Sequence, residues 1–581
     1  MTFPRLVFIL ALIIGSLLVQ PALSNPTDDL ISDGIAFYKQ EMYDEAIASF
    51  EKAIEIDPSN AAAWYNKGVS LYKQGKADEA IAAYEVAIGL DPRNSDYWYN
   101  KGNALYSKEL MNEAFAAYDV AIQLDPYDVD AWLAKGNVLS DQKDYDGAIR
   151  AYDAAIQIDP DNKETWFAKG NAHYNQGNFE EAISAYQVAL QLDSKDSKAW
   201  YNKGNAQYNL GKLEDALKSY EMALTYNPKD AVAFTNKGMT LADLKRYEEA
   251  LMAYDDALAL DPDDNKAWKS LGQVYIDLKR YDDAIRAFQM ALRLDKTDSS
   301  IWKSIGDVLM LEKRYDEGLA AYEQAIALNR DDATAWAGKG SALSHLGRYE
   351  EGLSVFEIAG TMQPQYVPAW IGKGECLTGL GRIEEANIAY GAALQLDPRN
   401  NQALIAKSQN QISLKDPENA LKTLEQAISA DPDNISLQIK KVGIFEDMGR
   451  YDEALAVWNA IENMSDKDTV REGRAKTLVK EGRVEDALSL YNNAILNLTG
   501  SGKIYEQYGD VLALAGKKEE ASEAYQKALE LQPNLTGITM KIQNVGLEDK
   551  KTPFGIIPVV GGISVTLLYR YFRRNYRRTG R

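Results

Sequence analysis

Residues 63–92 read AWYNKGVSLYKQGKADEAIAAYEVAIGLDP, and nearly everything from residue 27 to 535 restates them. The tryptophan at 64 returns at 98, 132, 166 and 200, is Phe at 234, and returns at 268, 302, 336 and 370, in steps of 34 residues. With Ala61 as position 1, Trp64 stands at 4, Gly68 at 8, Leu71 at 11, Ala80 at 20, Tyr84 at 24, Ala87 at 27 and Pro92 at 32. Trp64, Gly68 and Leu71 share one face of a first helix, and Ala80, Tyr84 and Ala87 repeat that spacing on a second. Gly75 supplies the turn between them. Asp91-Pro92 ends the second helix, because proline disfavours helical backbone in its predecessor. Small Gly68 and Ala80 let the helices approach, with Trp64 and Tyr84 filling the space around them. Each buried aromatic is worth about 2–3 kcal/mol. One helix pair cannot bury both its faces, so the units stack into a solenoid.

The period and the Trp, Gly, Ala, Tyr, Ala, Pro pattern resemble the tetratricopeptide repeat (TPR) family position by position. The resemblance implies an all-α, right-handed superhelical solenoid of about fifteen helix-turn-helix units, with first helices lining a concave surface. The expected units are 27–60, 61–94, 95–128, 129–162, 163–196, 197–230, 231–264, 265–298, 299–332, 333–366, 367–400, 401–434, 435–467, 468–501 and 502–535. The first lacks the tryptophan, 401–434 is degraded, and in 435–467 Ala460 arrives one residue early. Residues 536–552 read as a cap and polar linker.

The ends differ from the array. In 1–24, Arg5 precedes an apolar run from Leu6 to Val19, and Ala22 and Ser24 set small residues before Asn25. That is the layout of a secretory signal peptide, an uncleaved signal anchor being the other reading. Residues 553–572 read as a transmembrane helix, uncharged up to Tyr569, and 573–581 as a basic cytoplasmic tail. Both ends place the repeats outside the membrane. The tail also resembles, loosely, the C-terminal sorting signals of archaeal and bacterial surface proteins, and the whole suggests a prokaryotic source, an archaeon among the candidates.

Net charge is −22 over 581 residues, and the two end segments hold seven arginines and no acid, so the array is more acidic still. Such a body repels phosphate backbones and argues against nucleic-acid binding. The one cysteine, Cys376, leaves no intramolecular disulfide and reads as a buried thiol. His173 and His345 lie in different repeats without a partner at metal-ligand spacing, and HExxH, CxxC, GxSxG and P-loop motifs are absent. Paired carboxylates such as Asp78-Glu79 and Glu180-Glu181 recur at positions 18 and 19, a solvated face near a helix N-terminus. Asp261, Asp263 and Asp264 lack the glycine and distal glutamate of an EF-hand loop. The chain is therefore expected to be no enzyme, with no cofactor, no metal and no small-molecule substrate.

The resemblance places positions 2, 5, 9, 12 and 13 on the concave surface. Position 9 carries Asn103, Asn137, Asn171 and Asn205 in four consecutive units. Position 5 carries Tyr65, Tyr99, Phe167 and Tyr201, and position 12 carries Tyr72, Tyr106, Tyr174 and Tyr208. Amides at a regular interval offer donors and acceptors to an extended peptide backbone, and tyrosines supply rigid amphipathic area. The competing reading is that these residues serve the fold, since they are common in generic TPR sequences. The expected partner is a protein or extended peptide bound along 61–230. Four Asn-X-Ser/Thr sequons at Asn434, Asn463, Asn497 and Asn534 are candidate glycosylation sites on an exported chain. The expected function is a membrane-anchored, extracytoplasmic scaffold for complex assembly. The alternatives are a structural envelope component or a non-catalytic accessory subunit of an envelope enzyme complex.

Overall fold

The structure, a computed structural model, describes residues 26–546 other than 465 and 498–500. The expected signal segment 1–24, transmembrane helix 553–572 and basic tail 573–581 lie outside the described residues. Among the described residues no helix is long and apolar enough to cross a membrane. They form 31 α-helices and no strand. The chain divides between Asn329 and Arg330 into two compact units.

In the first unit each repeat is an antiparallel pair, as in Ala61–Lys73 with Ala77–Leu90. The loop before each first helix is written in the sequence. Asp57 accepts from the backbone N–H of Ser59 at 3.0 Å, and Asn60 caps the next helix by accepting from Ala63 N–H at 3.0 Å. The same use falls to two of the three aspartates read against a calcium loop. Asp261 accepts from Asp263 N–H at 3.1 Å and Asp264 from Ala267 N–H at 2.9 Å. The turn inside the pair has a left-handed residue, Gly75 at φ 77° here and Lys143 or Lys245 in other repeats.

Gly68 and Tyr84 make the closest approach within the pair. A Cβ on Gly68 would stand 2.7 Å from the Tyr84 ring, and Ala80 and Tyr84 are fully buried. Trp64 packs against this core and has a second role. It is half-buried, and its indole Nε1–H donates to the carbonyl of Pro58 at 3.1 Å, locking the preceding loop. Tyr84 fills the space at Gly68 while Trp64 packs on the edge of the same core, and Trp98, Trp132 and Trp166 repeat the loop bond.

Trp64, Trp98, Trp132, Trp166 and Trp200 also carry a lysine three residues on. Lys67 Nζ lies 5.5 Å from the Trp64 ring centre and 2.8 Å from Glu51 of the preceding repeat. Lys101 with Glu85, Lys135 with Asp119 and Lys169 with Asp153 repeat the clamp. Lys203 sits 4.9 Å from the Trp200 ring centre, but Gln187 occupies the acid's position, and burial lowers the lysine's pKa. Gln187→Glu is expected to add an ion pair worth about 0.5 kcal/mol. Amide exchange in residues 163–230 should then slow roughly twofold under conditions of local opening. Unchanged or faster exchange there would reject the pairing.

The second unit uses the same pairs, with Gly340 against Phe356, Gly374 against Tyr390 and Gly509 against Tyr525. Cys376 is buried and its thiol is pushed up to about 11 by desolvation. The one-residue loss before Ala460 shortens the second helix to Tyr451–Ala460. Trp458 takes the aromatic position there, donating its Nε1–H to Thr477 Oγ1 at 3.1 Å. A last helix, Ile538–Val545, buries Ile538, and Lys541 reaches Glu506 and Asp510 at 2.9 and 2.8 Å.

Candidate functional site

The four position-9 asparagines lie half-buried on the first helices of the first unit, and each turns its acceptor inward. Asn103, Asn137, Asn171 and Asn205 accept at Oδ1 from the hydroxyls of Tyr118, Tyr152, Tyr186 and Tyr220 at 2.7, 2.9, 2.7 and 2.8 Å. The donor is the position-24 tyrosine of the same repeat, fifteen residues on. A peptide backbone therefore meets amides whose carbonyl is already engaged, and the expected two-sided ladder becomes a donor edge.

The position-5 residues divide. Tyr65 is 1% exposed, its ring 4.7 Å from that of Tyr97, and its hydroxyl accepts from Asn100 Nδ2 at 3.0 Å. It is a core residue, not a groove contact. Tyr99, Phe167 and Tyr201 are half-buried with ring centres 5.9 Å from Tyr118, Tyr186 and Tyr220. Desolvation pushes the Tyr99 hydroxyl up to about 12.

The position-12 tyrosines tie successive repeats. Tyr106 donates to Asp141 Oδ2 at 2.5 Å and Tyr208 to Asp243 Oδ2 at 2.6 Å, each 35 residues on. Tyr174 accepts from Asn209 Nδ2 at 3.0 Å, and Tyr72 donates to the Asn103 carbonyl at 3.4 Å. Burial first, and the aspartate bond second, push Tyr106 and Tyr208 up to about 12.

At the far end of this face the rows open into a pocket of about 320 Å³ lined by Tyr174, Tyr201, Asn205, Tyr208, Asn209, Tyr220, Asn236, Met239 and Lys266. Four successive first helices supply all of it except Tyr220. Asn236 Nδ2 donates to the Tyr201 hydroxyl at 2.9 Å and to Asn205 Oδ1 at 3.1 Å, while its own Oδ1 accepts from Lys266 Nζ at 3.0 Å. The structure thus gathers Tyr174, Tyr201, Asn205 and Tyr208 in one cavity, with Asn103, Asn137, Asn171, Phe167, Tyr65, Tyr72, Tyr99 and Tyr106 outside its lining. Lys266 at position 2 and Asn209 at position 13 were findable from the face positions. Met239, at position 9 where the asparagine run breaks, was findable in the same way, whereas Asn236 at position 6 was not. The chemistry on offer is stacking, hydrogen bonding and one ammonium.

Of the sequons, Asn434 is half-buried and its Nδ2 donates to Asp431 at 2.9 Å, whereas Asn463 and Asn534 are exposed. Asn497 ends the helix Val484–Asn497, and residues 498–500 after it lie outside the described residues.

Stacked helix pairs with a polar, aromatic pocket on one face define a helical-repeat scaffold suited to protein–protein interaction. Tetratricopeptide-repeat family models match residues 33–95, 73–129 and 305–367, then 117–150, 136–177, 367–400 and 386–533. These span more than half of the sequence, and the chain belongs to the tetratricopeptide-repeat family. The model of the cilia and flagella-associated protein 70 C-terminal domain matches 161–309. No curated protein matches the chain. Among solved structures it is similar to YrrB, a TPR protein with an unusual peptide-binding site, at 27% identity over 32% of this chain and 96% of that one, TM-score 0.30. MamA is 24% identical over 30% of this chain and 99% of its own, TM-score 0.28. Yeast Tom70 is 17% identical over 76% and 97%, TM-score 0.34.

Proposed function

We propose that this chain is a membrane-anchored, extracytoplasmic scaffold that binds an extended peptide segment of a protein partner and performs no catalysis. The observation that carries the reading is the pocket, where four successive repeats converge tyrosine rings, amide donors and Lys266. Rigid aromatics and amides bind with little ordering cost, and a peptide carboxylate complements the ammonium on an otherwise acidic chain. The apolar run at 553–572 with arginines after it, and the apolar run within 1–24, support an anchored array outside the membrane.

Selection of a displayed random peptide library on the full chain tests the binding. Enriched peptides should carry acidic residues, and Lys266→Glu with Met239→Asp should weaken them at least about tenfold. Glu350→Lys, on a different repeat, should leave them unchanged. No enrichment, or equal binding by all variants, would reject the pocket. Protease added to intact cells should digest the repeats, and full protection would overturn the topology.

A further inference from the structure

A second cavity, of about 300 Å³, lies in the second unit where the helix Tyr349–Met362 meets Val367–Gly379. Its floor is Phe356, Gly360, Ala369 and Trp370, with Thr361, Glu357 and Lys373 around it. Gly360 holds position 28, which is isoleucine or leucine in every other repeat from 27–60 to 401–434. In the first unit that residue is a plug. Ile122, 6% exposed, packs on Ala131 and Trp132, positions 3 and 4 of the following repeat. Ala369 and Trp370 are the same two positions, and a Cβ on Gly360 would meet nothing within 4 Å. The cavity opens where the other repeats place a branched aliphatic side chain.

The polar groups around it are satisfied from within. Trp370 Nε1–H donates to the Pro364 carbonyl at 3.0 Å, Thr361 Oγ1 to the Glu357 carbonyl at 2.8 Å, and Lys373 Nζ pairs with Glu357 at 2.9 Å. A charged guest would have to break that pair, whereas a neutral hydrocarbon group disturbs no bond and covers the half-buried indole. Shape and charge agree on the guest. We propose that this cavity is a socket for one leucine or isoleucine side chain presented by a peptide partner, separate from the tyrosine–amide pocket and independent of its role.

The test is saturation-transfer NMR on the full chain with N-acetyl-leucine methylamide, N-acetyl-alanine methylamide and octanoate as probes. The leucine probe should bind roughly tenfold more tightly than the alanine probe, from the extra buried carbons. Gly360→Leu and Gly360→Ile restore the residue that the repeat places there, so both should fold at least as stably as the parent while losing the leucine signal. Gly360→Ala leaves the cavity open and should keep it. Equal leucine signals from the parent and both plugged variants would overturn the proposal, as would equal binding of alanine and leucine probes. Binding of octanoate alone would assign the cavity to an acyl chain and also overturn it.

Discussion

Raising the pH from 10 to 12 is expected to unfold the repeats cooperatively, with helicity lost and tyrosinate absorbance gained in a single transition. The cause is the set of buried and half-buried tyrosine hydroxyls at positions 3, 5, 12 and 24. Desolvation pushes Tyr65, Tyr84, Tyr118 and Tyr220 well above the ordinary tyrosine value of 10.0. Tyr97, Tyr99, Tyr106 and Tyr208 are pushed up to about 12, again by burial first. These are acids whose folded pKa is raised, so below pH 10 they are neutral in both states and do not bias folding. Above 10 the unfolded chain loses protons that the folded chain retains. Stability then falls by about 1.4 kcal/mol per pH unit for each proton withheld. The decline slackens only as the outer tyrosines ionise in place near 12. Because neighbouring repeats unfold together, several such protons add within one transition. A gradual tyrosinate titration centred near 10, with helicity unchanged, would refute the account.

The same tyrosines show how far the sequence could be read. Period, small residues at positions 8 and 20, and the aromatic at 24 are local spacings, and they suffice for an all-α repeat because every unit meets the same neighbours. Position 4 is legible only in part. Periodicity reports that Trp64 lies near a packed face, but not that its N–H seeks the Pro58 carbonyl, a choice settled by the loop's path. The asparagine row was visible in sequence, yet the bond from Tyr118 to Asn103 crosses from one helix to its partner. Only the packing of the pair reveals which side of each amide remains for a ligand. Tyr65 was misplaced for a related reason. Tyr97 covers its ring, and helical spacing within one repeat does not report a residue of the next. The Gly360 cavity was in plain sight as one break in a column of isoleucines and leucines, a departure visible only when the repeats are read down and not along.

Adding a methyl group at two glycines of the first unit should have opposite effects. Gly136 faces the Tyr152 ring with no room for a Cβ, and Tyr152 cannot retreat, being 1% exposed and hydrogen-bonded to Asn137 at 2.9 Å. Gly136→Ala forces the helices apart and should cost about 1–3 kcal/mol, and Gly136→Val more. Tyr152→Ala, which empties the same space, should cost about 3–5 kcal/mol. Gly318 holds position 20, where most repeats carry alanine, and its added Cβ would find its nearest atoms at 3.4 and 3.6 Å, ordinary contact distances. Gly318→Ala should therefore stabilise by about 1 kcal/mol through the helix backbone alone. In an array that propagates stability by nearest-neighbour contacts, the damage stays local. Hydrogen exchange after Gly136→Val should accelerate within 129–162 and the flanking repeats and leave 265–329 near the parent rate. Uniform acceleration across the first unit would mean that it opens as one block, and a neutral Gly136→Ala would mean that the glycine–tyrosine contact does not set how closely the pair packs.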